Sequence, residues 1–485
     1  MKNFFKILLS IVLILLIIIL VRTFTFSSKQ LEVAAIDRIE IPDRAKDHLA
    51  EAIRIKTISN ENPADFDSAA FYAFRNYLKE TYPLSDSLLT TTYINTFSMI
   101  MEWKGSDASL NPIIMMGHLD VVPVADEDVA RWSAEPFGGE IKDSVIWGRG
   151  AIDDKVNIIG SLEATELLLS KGFQPKRTVL FCFGHDEELG GLNGAIPIVE
   201  HLKNKGVKAE YVVDEGFAIT QGLTPGVEKD VALIGTSEKG FVSLKLYVDI
   251  EGGHSSMPKK EAAIGVLSNA IVKLTENPFP AVITQPVADF MDNVGPEMGF
   301  VNKMAFANRW LFKPMIISIL EGKPSGNAMI RTTTAPTIID AGIKENVIPY
   351  QAEAVVNFRI LPGESIQSVI DRVKDIIDDE RIQISQGAFN SEAPGISGTA
   401  SFGYQQINKT ILEVFPGVVT TPNLVVGATD SRYYYELSDQ VYRFTPIKIN
   451  EGNINSFHGI DERIPVEDFE NAIRFYVRLI ENSSK

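Results

Sequence analysis

Cysteine is almost absent from this chain, and positive charge is in deficit. Cys182 is the one cysteine among 485 residues. No intramolecular disulfide can form, so cysteine usage does not indicate a compartment. Cys182 lies within an apolar run and reads as a small buried hydrophobe. Lysine and arginine number 46 against 63 aspartates and glutamates, a formal net charge of −17. An acidic surface repels phosphate backbones, which argues against nucleic acid as a partner. Internal repeats and low-complexity tracts are lacking too. What remains is ordinary globular composition, 45% hydrophobic and 22% charged, enough for two or three domains with proper cores.

The amino terminus departs from that average. Ile7 to Val21 is almost wholly apolar and follows Lys2 and Lys6. Counting Phe4, Phe5 and the turn Thr23 to Phe26 around Arg22, the stretch nears the ~20 residues that span a bilayer. A cleaved signal peptide is the rival reading. No Ala-x-Ala site follows at once, and no later cysteine offers a lipid attachment point. An uncleaved anchor through residues 4–26 is therefore preferred over a secreted or periplasmic product. The preceding lysines place the body of the chain outside the cytoplasm.

Beyond a tether, strand and helix patterns alternate. Ile113 to Met116 reads as a strand ending at Gly117-His118-Leu119-Asp120, and Val156 to Lys171 as a helix closed by Gly172. Thr178 to Phe183 and Ala209 to Val213 read as further strands, with Ala195 to Lys205 a helix between them. This is α/β texture with polar residues where strands end, the place where ligands gather in open α/β sheets. The texture changes near residue 238. Strands over 241–251, 332–341, 351–360 and 381–385 and helices over 259–274 and 365–377 describe a compact α+β, ferredoxin-like module. The expected organisation is an amino-terminal segment (1–27), a first catalytic part (28–237), an inserted domain (238–390) and a second catalytic part (391–485).

Five polar sites stand out. In His118-Leu119-Asp120, residues two apart in extended chain point the same way. Asp120 can then accept from the His118 ring and fix its tautomer. Gly148-Arg149-Gly150 lets backbone approach closely before Asp153, which otherwise reads as a helix N-cap. Glu187 and Glu188 follow a buried strand and point in different directions, so one can bind a metal while the other faces substrate. Asp214 ends a strand, and His458 lies in a loop near the carboxyl terminus. Each has a bland explanation as a solvated or capping residue. Together they form the oxygen-and-nitrogen ligand set of a catalytic zinc site.

The blocks His118-Leu119-Asp120, Gly148-Arg149-Gly150-Ala151-Ile152-Asp153-Asp154-Lys155, Asp186-Glu187-Glu188-Leu189-Gly190-Gly191, Asp214-Glu215-Gly216, Gly252-Gly253-His254-Ser255-Ser256 and His458-Gly459 occur in that order. The series resembles the co-catalytic zinc metallopeptidases: carboxypeptidase S, the aminoacylases, the glutamate carboxypeptidases and succinyl-diaminopimelate desuccinylase. The carboxypeptidase S branch, with its related N-acyl amino acid hydrolases, is most similar in pattern, on the strength of Gly427 to Arg432 and the anchor. The resemblance implies a zinc-exopeptidase-like mixed sheet flanked by helices. It also implies two Zn²⁺ ions, for which Co²⁺ or Mn²⁺ are acceptable substitutes. Asp153 would bridge them, His118 and Asp214 complete one site, and Glu188 and His458 the other. Glu187 would be the general base, Asp120 the support of His118, and the Asp153-Asp154 peptide cis. His254 would steady the oxyanion, often in a partner subunit's centre, with the inserted domain serving as lid and dimer surface. Asn346, Arg359, Gly427 and Arg432 match positions that hold the substrate carboxylate.

The expected reaction is hydrolysis of an amide beside a free carboxylate, on small peptides or, alternatively, on N-acyl amino acids. An aminopeptidase or an inactive binding protein fits the residues less well. Phe290, Met291, Met298, Phe300, Met304, Phe306, Trp310, Phe312 and Met315 form an apolar segment with three readings: an acyl groove, the core of the lid, or a face against the membrane.

Overall fold

The structure, a computed structural model, describes residues 1–34 and 36–484. Helix α1 (Lys2–Thr25) leads through an extended tether to α2 (Ala45–Arg54). Four short apolar runs then form strands β1 (Ser98–Trp103), β2 (Ile113–His118), β3 (Val179–Gly184) and β4 (Tyr211–Asp214), buried almost throughout. Continuous burial is what strands covered on both faces require. They belong to a ten-stranded mixed sheet. In it β2 lies between β3 and β4, parallel to both, and β1 pairs antiparallel with β3. The crossover from β2 to β3 carries α3 (Lys155–Ser170), a helix buried on nearly every side. It stops at Gly172, where the Phe173 and Gly172 amides donate back to Leu168 and Leu169, the hydrogen bonds of a left-handed helix end. The sheet continues to β5 (Val231–Glu238).

A second, four-stranded antiparallel sheet follows, made of β6 (Gly240–Asp249), β7 (Thr333–Ala341), β8 (Gln351–Ile360) and β9 (Ile382–Ser391) in the order β7-β8-β6-β9. Burial alternates residue by residue along β6 and β8, the mark of a sheet with one covered face. Helices α4 (Ala263–Glu276) and, later, α7 (Ile366–Ile377) cover it, packing Val266, Leu267, Val369 and Val373 on Val242, Leu244, Leu246 and Val248. Strand β9 runs six residues beyond the expected Ser385, because it stays paired with β6 across a bulge at Val242–Leu244. Between α4 and β7 lie α5 (Phe300–Ala307) and α6 (Arg309–Glu321). Met291, Ile316 and Ile330 of this stretch pack on Leu361 and Leu424.

The chain then returns to the first sheet. β10 (Val419–Val425) adds parallel to β5, and β11 (Val441–Arg443) adds parallel to β4. The final helix α8 (Val466–Ser483) shares the main core with α3. The result is a mixed α/β fold, a large sheet flanked by helices, completed by segments from both sides of the second sheet. The carboxyl ends of β2, β3 and β4 sit together.

Candidate active site

Three adjacent strand ends supply most of the site. His118 closes β2, Glu187 and Glu188 follow β3, and Glu215 follows β4. Asp153 stands just before α3 and reaches both imidazoles. Its Oδ1 lies 3.0 Å from His118 Nε2 and its Oδ2 lies 3.0 Å from His458 Nε2. Glu188 Oε2 is 3.2 Å from His458 Nε2, and Glu215 Oε1 is 3.4 Å from His118 Nε2. One carboxylate thus bridges two histidines, each with a second carboxylate beside it. The peptide between Asp153 and Asp154 is cis.

Neighbouring groups hold this set in place. Asp120 is fully buried and accepts from the Glu187 and Glu188 amides and from the Ser59 hydroxyl. Its own carbonyl lies 3.0 Å from His118 Nδ1. Asp120 therefore orients both the β2 histidine and the glutamate pair after β3. Asp154 accepts from the His118 amide and from Asn157, so its carboxylate is already engaged. Glu462 does the same for the loop before α3. It accepts from the Ile152 and Asp153 amides and, at 2.6 Å, from Arg149, whose other nitrogen donates to the Gly459 carbonyl. This pair locks the Asp153 loop to the His458 loop. Gly191 brings the turn after Glu188 against Asp430. It adopts φ +71°, and a Cβ there would lie 2.2 Å from Asp430 Oδ1.

The structure does not bring Asp214 into this set. Its Oδ2 accepts from the Ser431 amide at 3.0 Å, on the side of the buried Arg443–Glu238 ion pair. Glu215 stands beside His118 instead. Successive residues of a strand face opposite sides, and Tyr211 and Val213 pack in the core that contains α3. Residue 215 continues that face, toward Asp153, whereas Asp214 shares the opposite face with Val212. Core parity along β4, weighed against the helix that carries Asp153, is the signal that singles out Glu215. Arg149 was legible only as part of the Gly148–Gly150 block and Glu462 not at all, because their role depends on pairing across the chain.

The electrostatics call for a cation. Burial, reinforced by neighbouring carboxylates, pushes Glu187 and Asp154 well above the usual carboxylate range and Glu215 up to about 8. Burial also opposes charge on Asp153, yet the hydrogen bonds of His118 and His458 outweigh it and hold that carboxyl below its ordinary value. His458 is drawn up to about 10 by its hydrogen bonds to Asp153 and Glu188. Glu188 Oε1 is buried without a hydrogen-bond partner among the described residues. An orphaned carboxylate oxygen in a crowd of acids is what a cation-binding site leaves when only protein groups are counted. The donors, two imidazoles and three carboxylates, suit divalent transition metals.

The residues expected to meet substrate fall into two groups. Arg359 on β8 lies over the Phe241 ring, Phe241 packs on Phe389, and Phe389 lies beneath Arg432. Arg432 is already committed, donating to the Thr429 and Gly190 carbonyls. Arg359 is half-buried with no hydrogen bond or ion pair among the described residues. The second group, His254 and Asn346, is exposed at the tip of the second sheet. There His254 pairs in a short ladder with Val347 and accepts from Ser256 through Nδ1. Gly427 is exposed in open space.

Among known proteins, the chain matches peptidase family M20/M25/M40 over residues 114–482. It is 40% identical to a probable carboxypeptidase S-like 2 of Dictyostelium discoideum, over 100% of this chain and 95% of that protein. It is also 40% identical to an N-fatty-acyl-amino acid synthase/hydrolase of Xenopus tropicalis, over 92% of this chain and 87% of that one. An M20 family metallo-carboxypeptidase from Sulfolobus solfataricus aligns with a TM-score of 0.65 at 19% identity, covering 91% of this chain and 100% of that chain. That likeness is one of fold.

Proposed function

The chain belongs to peptidase family M20/M25/M40, and from that premise we propose that it hydrolyses small peptides at an amide next to a free carboxylate. The observation that carries this reading is the Asp153 carboxylate between His118 and His458, with Glu188, Glu215 and the unengaged Glu187 around it. His118, Asp153, Glu188, Glu215 and His458 would hold two divalent ions, zinc by preference, which supply a Lewis acid for the carbonyl and a water that ionises near neutral pH. Glu187 takes the proton of the attacking water and returns it to the leaving amine. Asp120 keeps His118 and the Glu187–Glu188 backbone in register for that transfer. Arg359, half-buried and unpaired, is the clamp for the substrate carboxylate in preference to Arg432, since the guanidinium fork matches a carboxylate.

The second sheet serves as lid and homodimer surface. Its edge strand β7 exposes Ile338 and Ile339, an unpaired edge of the kind that joins copies. His254 and Asn346 would then serve the partner's centre. Helix α1, long and apolar enough to cross a membrane, serves as a retained anchor with the catalytic body outside the cytoplasm. The hydrogen bonds of its last turns to Asn308 and the Ala307 carbonyl, and the packing of Phe24 on Phe300, support retention over cleavage.

An N-acyl, including fatty-acyl, amino acid amidohydrolase is the second reading, favoured by the relative from Xenopus tropicalis. Rates on glycyl-leucine, N-acetyl-leucine and N-dodecanoyl-leucine separate the two. The peptidase reading expects the dipeptide to turn over fastest; clear preference for the dodecanoyl substrate moves the assignment to the acyl branch.

A further inference from the structure

Helix α6 is apolar on two faces. Phe312, Ile316 and Leu320 turn toward the core shared with Leu424, whereas Leu311, Met315 and Ile319 are exposed at helical spacing, with Trp310 beside them. Phe300 and Val301 of α5 are exposed as well. A helix of a water-soluble body keeps its outer face polar, and contiguous exposed apolar residues mark an interaction surface.

What covers this face follows from its neighbour. The last turns of α1 are gripped at the α5–α6 junction. Asn308 Nδ2 donates to the Ile19 carbonyl and to Thr23 Oγ1, and Arg22 Nε donates to the Ala307 carbonyl. Phe24 packs on Phe300 with ring centroids 6.0 Å apart. The apolar run Ile7–Val21 measures about 22 Å along a helix axis, shorter than the ~30 Å hydrocarbon layer. An anchor of that length must draw both flanking turns into the bilayer boundary. The flank on the body side is Arg22–Phe26, the turn that α5 and α6 hold. Residues 308–311 therefore lie at the level of Ile19–Thr23, where the membrane surface must be. Charge agrees: Lys303, Lys313 and Lys323 lie along residues 299–323 beside Arg309, which pairs with Asp292, and Glu321, which pairs with Arg331, in a chain of net charge −17. Basic residues beside Trp and aliphatic side chains suit an anionic lipid interface.

We propose that the outward face of α5 and α6, centred on Trp310, Leu311, Met315 and Ile319, lies in the interfacial layer of the membrane that α1 crosses. The body then rests on the bilayer surface beside its own anchor, held at a fixed tilt by Asn308 and Arg22. This rests on α1 being a retained anchor.

The test uses the full chain in vesicles of phosphatidylcholine and phosphatidylglycerol, with and without bromines near the top of the acyl chains. Flotation reports the anchor, and tryptophan emission reports the face. Trp103 and Trp132 are buried and Trp147 is half-buried against Arg463, which leaves Trp310 as the exposed indole on this face. Wild type is expected to float and to lose the emission Trp310 supplies, about a quarter if the four tryptophans emit equally. Trp310→Phe is expected to float without quenching. Flotation with unquenched wild type overturns the proposal and leaves the anchor standing, as does equal quenching in Trp310→Phe. Failure to float overturns anchor and face together.

Discussion

His118, Asp153, Glu188 and Glu215 stand at the ends of buried parallel strands and beside α3, each within 3.4 Å of another member or of His458. His254 and Asn346 stand at the exposed tip of the second sheet, and the hydrogen bonds of His254 are to its own loop. Both regions carry residues that the family resemblance joins in one reaction. One region is gathered within a single chain; the other offers its groups outward. A metal centre needs ligands fixed against a rigid scaffold, because several like charges must be held together until a cation arrives. Groups that contact substrate can sit on a separate sheet that moves or meets a second copy.

Four substitutions separate the two regions. Glu187→Gln has the largest expected effect. It keeps shape and ligands but removes the proton acceptor, so kcat should fall by ~10³-fold with metal content unchanged; turnover within tenfold of wild type would remove Glu187 from the base role. Glu462→Ala strands the buried Arg149 and unties the Asp153 loop from the His458 loop. A loss of about 3–5 kcal/mol in unfolding free energy is expected, since breaking one side of a buried pair leaves an unpaired charge. His254→Ala, at an exposed position, should leave the denaturation midpoint where it is, and equal damage from both would erase the distinction between the regions.

Arg359→Met should raise KM for substrates with a free carboxylate by ~30-fold or more while kcat changes little. The same variant should treat a carboxyl-amidated substrate as wild type does, and a uniform loss on both would make Arg359 a structural residue. The smallest signal comes from mixing subunits. If His254 serves the partner's centre, His254→Ala and Glu187→Gln chains, each inactive alone, should recover about a quarter of wild-type activity when reassembled together, from one sound centre in the mixed half of the dimers. Absence of recovery in a verified mixed dimer would return His254 to its own chain.

How much of this was legible in the sequence differs between the same two regions. The strand ends were, because short apolar runs stopping at polar residues are local patterns, and β2, β3 and β4 end where His118, the glutamate pair and Asp214 were expected to emerge. The choice between Asp214 and Glu215 was not, because it depends on which face of β4 meets α3, a property of packing between distant segments. The ion pair of Glu462 with Arg149 spans the chain and leaves no local mark. The apolar segment over 290–315 was read as a unit, yet the structure divides it. Met291 is buried, Phe312 is half-buried, and Phe300, Trp310 and Met315 face outward. Composition reports that such a stretch is apolar; only its neighbours decide which side is covered.

In the proposed centre His118, Asp153, Glu188, Glu215 and His458 hold the metal, with Asp214 a support behind them. Metal content per chain, measured on wild type, Glu215→Ala and Asp214→Ala after identical loading with zinc, tests it most directly. Two ions are expected in wild type and in Asp214→Ala, with loss of the ion beside His118 in Glu215→Ala. Full occupancy in Glu215→Ala together with metal loss in Asp214→Ala would contradict it.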